Sequence, residues 1–346
     1  MTGVKAAIAN VANVDRSKVV WKMPVRSSAV ILVLITAFAL ADRPLQAVPV
    51  TVGALFSAIA DVGEPLGHRW RTMLWTTTWL MVAGLIGESV SDTPMLVLAV
   101  SVVIAAACGF AGVLGQRAAL AGTLTLVTLT IFAGIPEIGN GFIPNALLIG
   151  LGGIVQTAVT CIPPLLFRRE SLRKTQDFGA VLPRLRAGMT WSNPFARHSV
   201  RLAIALLIST GISVTWTSSH SYWIPMTVAW IAKPDQSGTI DKVLGRIAGT
   251  ILGLLLVTFA VGGLGMGDIG ELLSVVVGSM IVLMFVWANY ALAVMGVTIL
   301  VAALFAPAFA DSIGSTVWLR IFDTLLAGAI TLLVSFLWKV RRLPAA

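Results

Sequence analysis

Charged residues placed inside long apolar runs are the first chemistry this sequence offers. Arg246 is expected to start the ninth helix near the inner membrane face, in LGRIAGTILGLLL, and Arg320 and Asp323 lie three apart within VWLRIFDTLLAGAITLLV. An arginine so placed is either a cation that draws a carboxylate or a snorkelling side chain that fixes topology. Arg69 stands at a comparable place earlier in the chain, and Arg26 and Arg201 open apolar runs of their own. Lining an aqueous cavity, these cations would make a basic inner vestibule that concentrates anions. Arg320 and Asp323 have the spacing to pair on one helix face, as a structural ion pair or with Asp323 as a proton-coupling carboxylate. Gly245, Gly249 and Gly253 form two overlapping small-xxx-small steps, a helix-packing face, and Thr250 beside them could offer a hydroxyl to a solute path.

Other chemistries are missing from the pattern. His68, His198 and His220 sit on different segments without metal-ligand spacing. No Walker-type phosphate loop and no nucleophile with a base beside it stand out. The expectation is therefore no metal, no cofactor, no nucleic-acid partner and no enzyme. The alternative from another class is a membrane-embedded enzyme, or a scaffold subunit, acting on lipid-linked cell-envelope substrates. Glu88, Asp92, Asp268 and Glu271 would be its only candidate residues, and they fall in very short loops.

The elements that must position these residues are membrane helices. Hydrophobic residues make up 57% of the chain, charged ones 11%, and the mean hydropathy is +0.93. Apolar segments recur at 26–41, 45–60, 73–87, 94–112, 118–135, 143–167, 200–217, 221–232, 243–262, 272–288, 290–309 and 317–338. The strand-length alternation of a β-barrel is absent, so the class is all-α and polytopic. The opening MTGVKAAIANVANVDRSK lacks a signal peptide's apolar core, so no segment is expected to be removed. Cys108 and Cys161 both fall in apolar runs, where packing is the expected role.

Charge placement orients the chain. With the N-terminus inside and all twelve segments crossing, 24 Lys and Arg fall on the inner side save Arg43 and Arg320. Asp42, Glu88, Asp92, Glu137, Asp268, Glu271 and Asp311 fall outside. This satisfies the positive-inside rule, and both termini are then cytoplasmic. If the two short segments 45–60 and 221–232 only dipped in, the bias would invert, so both are expected to cross.

The segments also repeat. Pro49 and Thr51 fall on Pro225 and Thr227, and Arg69 on Arg246, at an offset of about 176. RAALAGTLTLV from Arg117 resembles NYALAVMGVTI from Asn289, and FRR at 167–169 resembles VRR at 340–342. Six crossings per half make a parallel repeat, with one short proline-broken helix in each half. Broken helices at matching positions point to a transport path, because hydrocarbon cannot satisfy their backbone groups. The expected substrate path is Pro49, Thr51, Arg69, Tyr222, Trp223, Pro225, Thr227, Arg246 and Thr250. Tyr222 and Trp223 lie at the outer boundary, as interfacial anchors or as stacking partners for an aromatic solute. Asp235 or Ser237 is placed to cap the next helix.

The run SYWIPMTVAWIAKPDQSGTIDKVLGRIAGTILGLLL (221–256) resembles the signature of the fusaric acid resistance family. The resemblance is carried by Tyr222-Trp223, Lys233-Pro234, Gly238-Thr239, Arg246, Gly249-Thr250 and Gly253, with Arg320, Asp323 and Gly328 further on. It covers the second half, and the first half lacks Tyr-Trp and Gly-Thr. It implies an inner-membrane secondary transporter, an exporter of small aromatic or other organic anions, similar at a distance to plant aluminium-activated malate transporters. An organic-anion channel is the alternative within that class. The implied partners are the lipid bilayer and a small organic anion, with a homo-oligomer or an envelope partner protein left open. The domain expectation is a tail at 1–25, a six-helix half at 26–167, a basic cytoplasmic linker at 168–199, a second half at 200–338 and a tail at 339–346.

Overall fold

The structure of the chain, a computed structural model, describes residues 9–63, 65–135, 141–167, 181–216, 220–259, 267–305 and 313–337. Among them the chain is helical, without a strand. In order the helices are α1 (Lys22–Leu40), α2 (Ala47–Ile59), α3 (Leu66–Val90), α4 (Pro94–Phe110), α5 (Gln116–Gly134), α6 (Phe142–Phe167) and α7 (Val181–Gly188). They continue as α8 (Pro194–Thr215), α9 (Trp223–Ile231), α10 (Gln236–Val257), α11 (Gly267–Phe285), α12 (Tyr290–Phe305) and α13 (Ile313–Leu337). Each of the twelve apolar segments falls on one of these helices, and α7 lies in the polar stretch between the halves. Glu137, Asp311, the arginines at 168–173 and the tail from residue 338 lie outside the described residues.

Among the described residues, six helices are long and apolar enough to cross a membrane by length and composition: α1, α4 with its extension to Leu114, α5, α6, α8 and the Trp318–Leu337 part of α13. Large apolar side chains point outward along them, including Val33, Val103, Leu166, Trp318 and Leu333. Such a belt in water would be an aggregation surface, and in lipid it is solvated. The chain is a multi-pass helical membrane protein.

Local chemistry sets the helix ends. Gly115, at φ 117°, turns the chain from α4 into α5 through a conformation open to glycine. Asn193 caps α8 by accepting from the Phe195 N–H at 2.9 Å, with Pro194 at the first helical position. Asp235 caps α10 by accepting from the Gly238 N–H at 2.7 Å, and Asn289 caps α12 by accepting from the Leu292 N–H at 2.9 Å. The observed helix starts also correct the sequence-based boundaries. Helices α3 and α10 each begin seven residues before the apolar segment does, because polar residues such as His68, Arg69 and Asp241 sit within their first turns.

The short helices are not broken by their prolines. Pro49 and Pro225 each occupy the third residue of α2 and α9, in the first turn, where the backbone N–H has no intrahelical acceptor to lose. What ends α9 is the next stretch. Ala232 is extended, Pro234 disfavours helix at Lys233, and Asp235 starts α10. Arg201 of α8 donates from Nη2 to the Pro234 carbonyl and holds this turn in place.

Both short helices are enclosed by protein. All 13 residues of α2 are buried, and in α9, of 9 residues, Trp230 alone is partly exposed. A helix apolar on every side is stable where other helices surround it. Counted from the start of each half, the same helices meet. In the first half α1 packs on α2 and α6, α2 on α6, α3 on α5 and α6, and α4 on α5. In the second half α8 packs on α9 and α13, α9 on α13, α10 on α12 and α13, and α11 on α12. Between the halves α4 packs on α8 and α1 on α11, joined by Ser199 Oγ donating to the Ala106 carbonyl at 2.6 Å and by the Ser28 and Ser279 hydroxyls at 2.9 Å. Phe56 of α2 and Trp230 of α9 meet edge to face at 5.9 Å.

Candidate anion site along helix α9

Helix α9 presents two working sides. Trp223 and Thr227 are four residues apart and share a face. The Arg320 guanidinium of α13 lies 3.9 Å above the Trp223 ring. One turn further, Arg246 of α10 donates from Nη2 to Thr227 Oγ1 at 3.4 Å, the long end of a hydrogen bond. Both arginines are only 3% exposed and lie close enough to repel one another.

Around these two cations, donors outnumber acceptors. Nη1 and Nη2 of Arg320 and Nε of Arg246 are buried without a hydrogen-bond partner among the described residues, while the Tyr222 hydroxyl interacts with Trp223 and the Tyr290 hydroxyl with Arg246. Tyr290 stands beside Arg246, and the Lys242 ammonium lies 3.7 Å from the Tyr290 ring centre. Buried polar groups are nearly always paired, and an unpaired buried cation is among the costliest arrangements a fold can hold. A set of convergent N–H groups lacking acceptors is the constellation that an anion completes.

The other side of α9 borders a cavity of about 170 Å³ between the halves. Ser91, Ser101, Thr130, Thr210, Ser213 and Ser221 line it with hydroxyls, together with Tyr222 and Pro225 of α9. A cavity of about 150 Å³ accommodates a benzene-sized molecule, so one small ring fits this space. Tyr222 borders the cavity and also interacts with Arg320, which links the two sides.

Several sequence expectations change here. Arg246 does not begin its helix at a membrane face. It sits midway along the 22-residue α10, about 15 Å from its start, and its burial excludes snorkelling. Tyr222 and Trp223 are not interfacial anchors, since they are 3% and 4% exposed and enclosed by helices. Arg320 and Asp323 are not joined by a salt bridge, because the guanidinium turns to Trp223 instead. Thr250 is buried one turn beyond Arg246 on the same side of α10. Gly245, Gly249 and Gly253 face Tyr290, Ala291 and Thr298 of α12, and a Cβ at Gly249 would lie 2.2 Å from the Ala291 carbonyl oxygen.

The matching residues of the first half stand apart. Arg69 lies in the first turn of α3 and donates to both carboxylate oxygens of Asp61, at 2.6 and 2.5 Å, while Arg26 lies 3.6 Å from the same carboxylate. Asp61 therefore balances these arginines, and the expected basic vestibule is partly neutralised. Pro49 and Thr51 are buried in α2, and Thr51 Oγ1 has no hydrogen-bond partner among the described residues. Glu88, a candidate for the enzyme alternative, is buried and receives the Asn145 amide at 2.9 and 3.0 Å. The side chains of Asp268 and Glu271 lie outside the described residues.

Sequence reasoning missed Asp61, Tyr290 and the hydroxyl ring. Tyrosine gave the available signal, because the chain has only 2 and both are at this site.

A buried pair of arginines within a polytopic helical membrane protein is the feature this site presents. In comparison with known proteins, residues 202–334 match the family described as fusaric acid resistance protein-like. An uncharacterized protein of Haemophilus influenzae is 31% identical over 162 residues, 43% of this chain and 21% of that protein. The inner membrane protein YccS of Escherichia coli is 30% identical over 171 residues, 46% of this chain and 23% of that protein. An uncharacterized protein of Escherichia coli, YhfK, is 28% identical over 91 residues, 26% of this chain and 13% of that protein. The chain spans less than a quarter of the length of these curated relatives. No solved structure matches it.

Proposed function

We propose that the chain is a secondary transporter that exports small organic anions, aromatic carboxylates first among them, across the inner membrane. The anion binds Arg246 and Arg320 beside α9 and passes between two six-helix halves that repeat in parallel, with both termini cytoplasmic. The observation that carries this reading is the cluster of buried donors without acceptors on two guanidinium groups. The matched helix contacts within each half, and the paired α4–α8 and α1–α11 contacts between them, support the repeat. YccS, a relative of part of the chain, is an inner membrane protein, which supports the membrane assigned here.

The division of labour follows from the two halves. The first half spends its arginines on Asp61, and α2 is sealed against α6, where a Cβ on Gly53 would lie 2.0 Å from the Ile149 carbonyl oxygen. The second half leaves its cations unbalanced and places α9 beside a cavity. The test is protein-dependent flux of labelled benzoate in proteoliposomes, wild type against Arg246→Ala. Saturable flux in wild type and its loss in the variant are expected. Correctly folded wild type that carries no organic anion would overturn the reading.

A further inference from the structure

Asp323 has no place in the anion site as described, yet it stands next to it. It is 6% exposed, one turn past Arg320 on α13, and among the described residues it accepts no hydrogen bond and forms no salt bridge. A bare carboxylate buried between helices is far costlier than a neutral carboxyl group. On α9 Asp323 faces Tyr222, behind which His220 stacks on Trp223 at 4.3 Å. On α10 Arg246 acts on Arg320. The adjoining end of α8, from Leu206 to Trp216, carries no titratable side chain, and Trp216 there meets Phe322. Arg320 is thus the one cation within a helical turn of Asp323 among the described residues.

Arg320 therefore has two prospective partners that exclude each other. Residues three apart on a helix are close enough to pair, so an ionised Asp323 can take the guanidinium once it is vacant. An incoming anion takes the same guanidinium only when Asp323 gives it up. The buried charge count is the same both ways. Arg246 and Arg320 with ionised Asp323 carry a net single positive charge, and so do the two arginines with a bound monoanion and neutral Asp323.

We propose that Asp323 is the proton carrier of this site, so that each anion moves together with one proton. On loading, a proton from water joins the Asp323 carboxylate while the anion joins Arg320. On unloading, the anion leaves, the proton returns to water, and Asp323 pairs with Arg320. This rests on the anion reading above; it makes transport electroneutral, so that net export follows the outward gradient of the anion itself and is not driven by the inward proton gradient.

The test measures labelled benzoate flux and membrane current together in proteoliposomes of wild type and Asp323→Asn, with Arg246→Ala liposomes as background for permeation of the neutral acid. Wild type is expected to carry benzoate with no net current. Asparagine imitates the protonated carboxyl permanently, so Asp323→Asn is expected to carry about one elementary charge per anion. A structural role alone would not convert a silent flux into a current. Current of about one charge per anion in wild type overturns the proposal and leaves the anion reading standing. Absence of protein-dependent flux in wild type overturns the anion reading and the proposal with it. Should Asp323→Asn fail to fold, voltage dependence of the wild-type flux decides: flux that rises with an imposed potential overturns the proposal.

Discussion

The Arg320 guanidinium lies 3.9 Å above the Trp223 ring, and both its terminal nitrogens point to no acceptor. An aromatic face offers a cation about 0.5–2 kcal/mol, well short of what a buried charge forfeits on leaving water. The stacking orients the guanidinium without balancing it. With Arg246 one helical turn away along α9, the second half holds two buried positive charges where the first half holds a compensated cluster.

That contrast predicts opposite phenotypes. Asp61→Asn should lower stability by about 2–3 kcal/mol, less than the roughly 3–5 kcal/mol of a fully buried pair, because Arg26 and Arg69 keep 29% and 18% of their side chains exposed. Adding Arg26→Gln and Arg69→Gln should restore most of the loss, and anion flux should persist throughout. Thermal melting in detergent and benzoate flux read the two effects separately. A loss of flux at wild-type stability would show that this cluster belongs to the path.

Close helix contact at glycine gives a second prediction. Gly249→Ala would set its Cβ 2.2 Å from the Ala291 carbonyl oxygen, so α10 and α12 must part, at a cost of about 1–3 kcal/mol. Gly211→Ala on α8 meets nothing within 4 Å and should leave the melting temperature unchanged or raise it slightly, since alanine favours helix by about 1 kcal/mol over glycine. Equal melting temperatures for the two variants would contradict the packing described.

The chain before α1 is tied to the second half. Asn289 donates its amide to the carbonyls of Val11 and Asn13, at 2.8 Å each, while the Asp15 N–H donates to the Ala288 carbonyl at 3.1 Å. Asn289→Ala removes both amide bonds and the α12 cap and should cost about 1–3 kcal/mol. Hydrogen exchange of residues 9–15 should accelerate in this variant while the α3–α6 helices stay protected. Unchanged exchange at 9–15 would mean that other contacts hold the segment.

Much of this was legible in the sequence, and the failures have physical causes. Each apolar segment falls on a helix among the described residues, because hydrophobic length is a direct requirement of the bilayer. Arg246, Arg320, Trp223 and Thr227 were named from their types and settings, and they converge at α9. Their depth was misjudged because the polar first turns of α10 do not register in an apolar count. The prolines misled in a similar way. A proline inside an apolar run reads as a break, while the helix start two residues earlier is set by tertiary packing. The hydroxyl ring of the cavity draws on five elements, and no local pattern announces residues that meet only in the fold.

The central claim is that Arg246 and Arg320 together hold an anion, and equilibrium binding of labelled benzoate to the purified protein tests it most directly. Hydrogen bonds to charged groups contribute about 1.5–3 kcal/mol, so Arg320→Gln or Arg246→Gln should each weaken binding roughly ten- to hundredfold. The double variant should abolish it, with melting temperatures held or raised as buried charge is removed. Saturable wild-type binding that disappears in the double variant is the result predicted. Binding of unchanged affinity in a folded double variant would contradict the account.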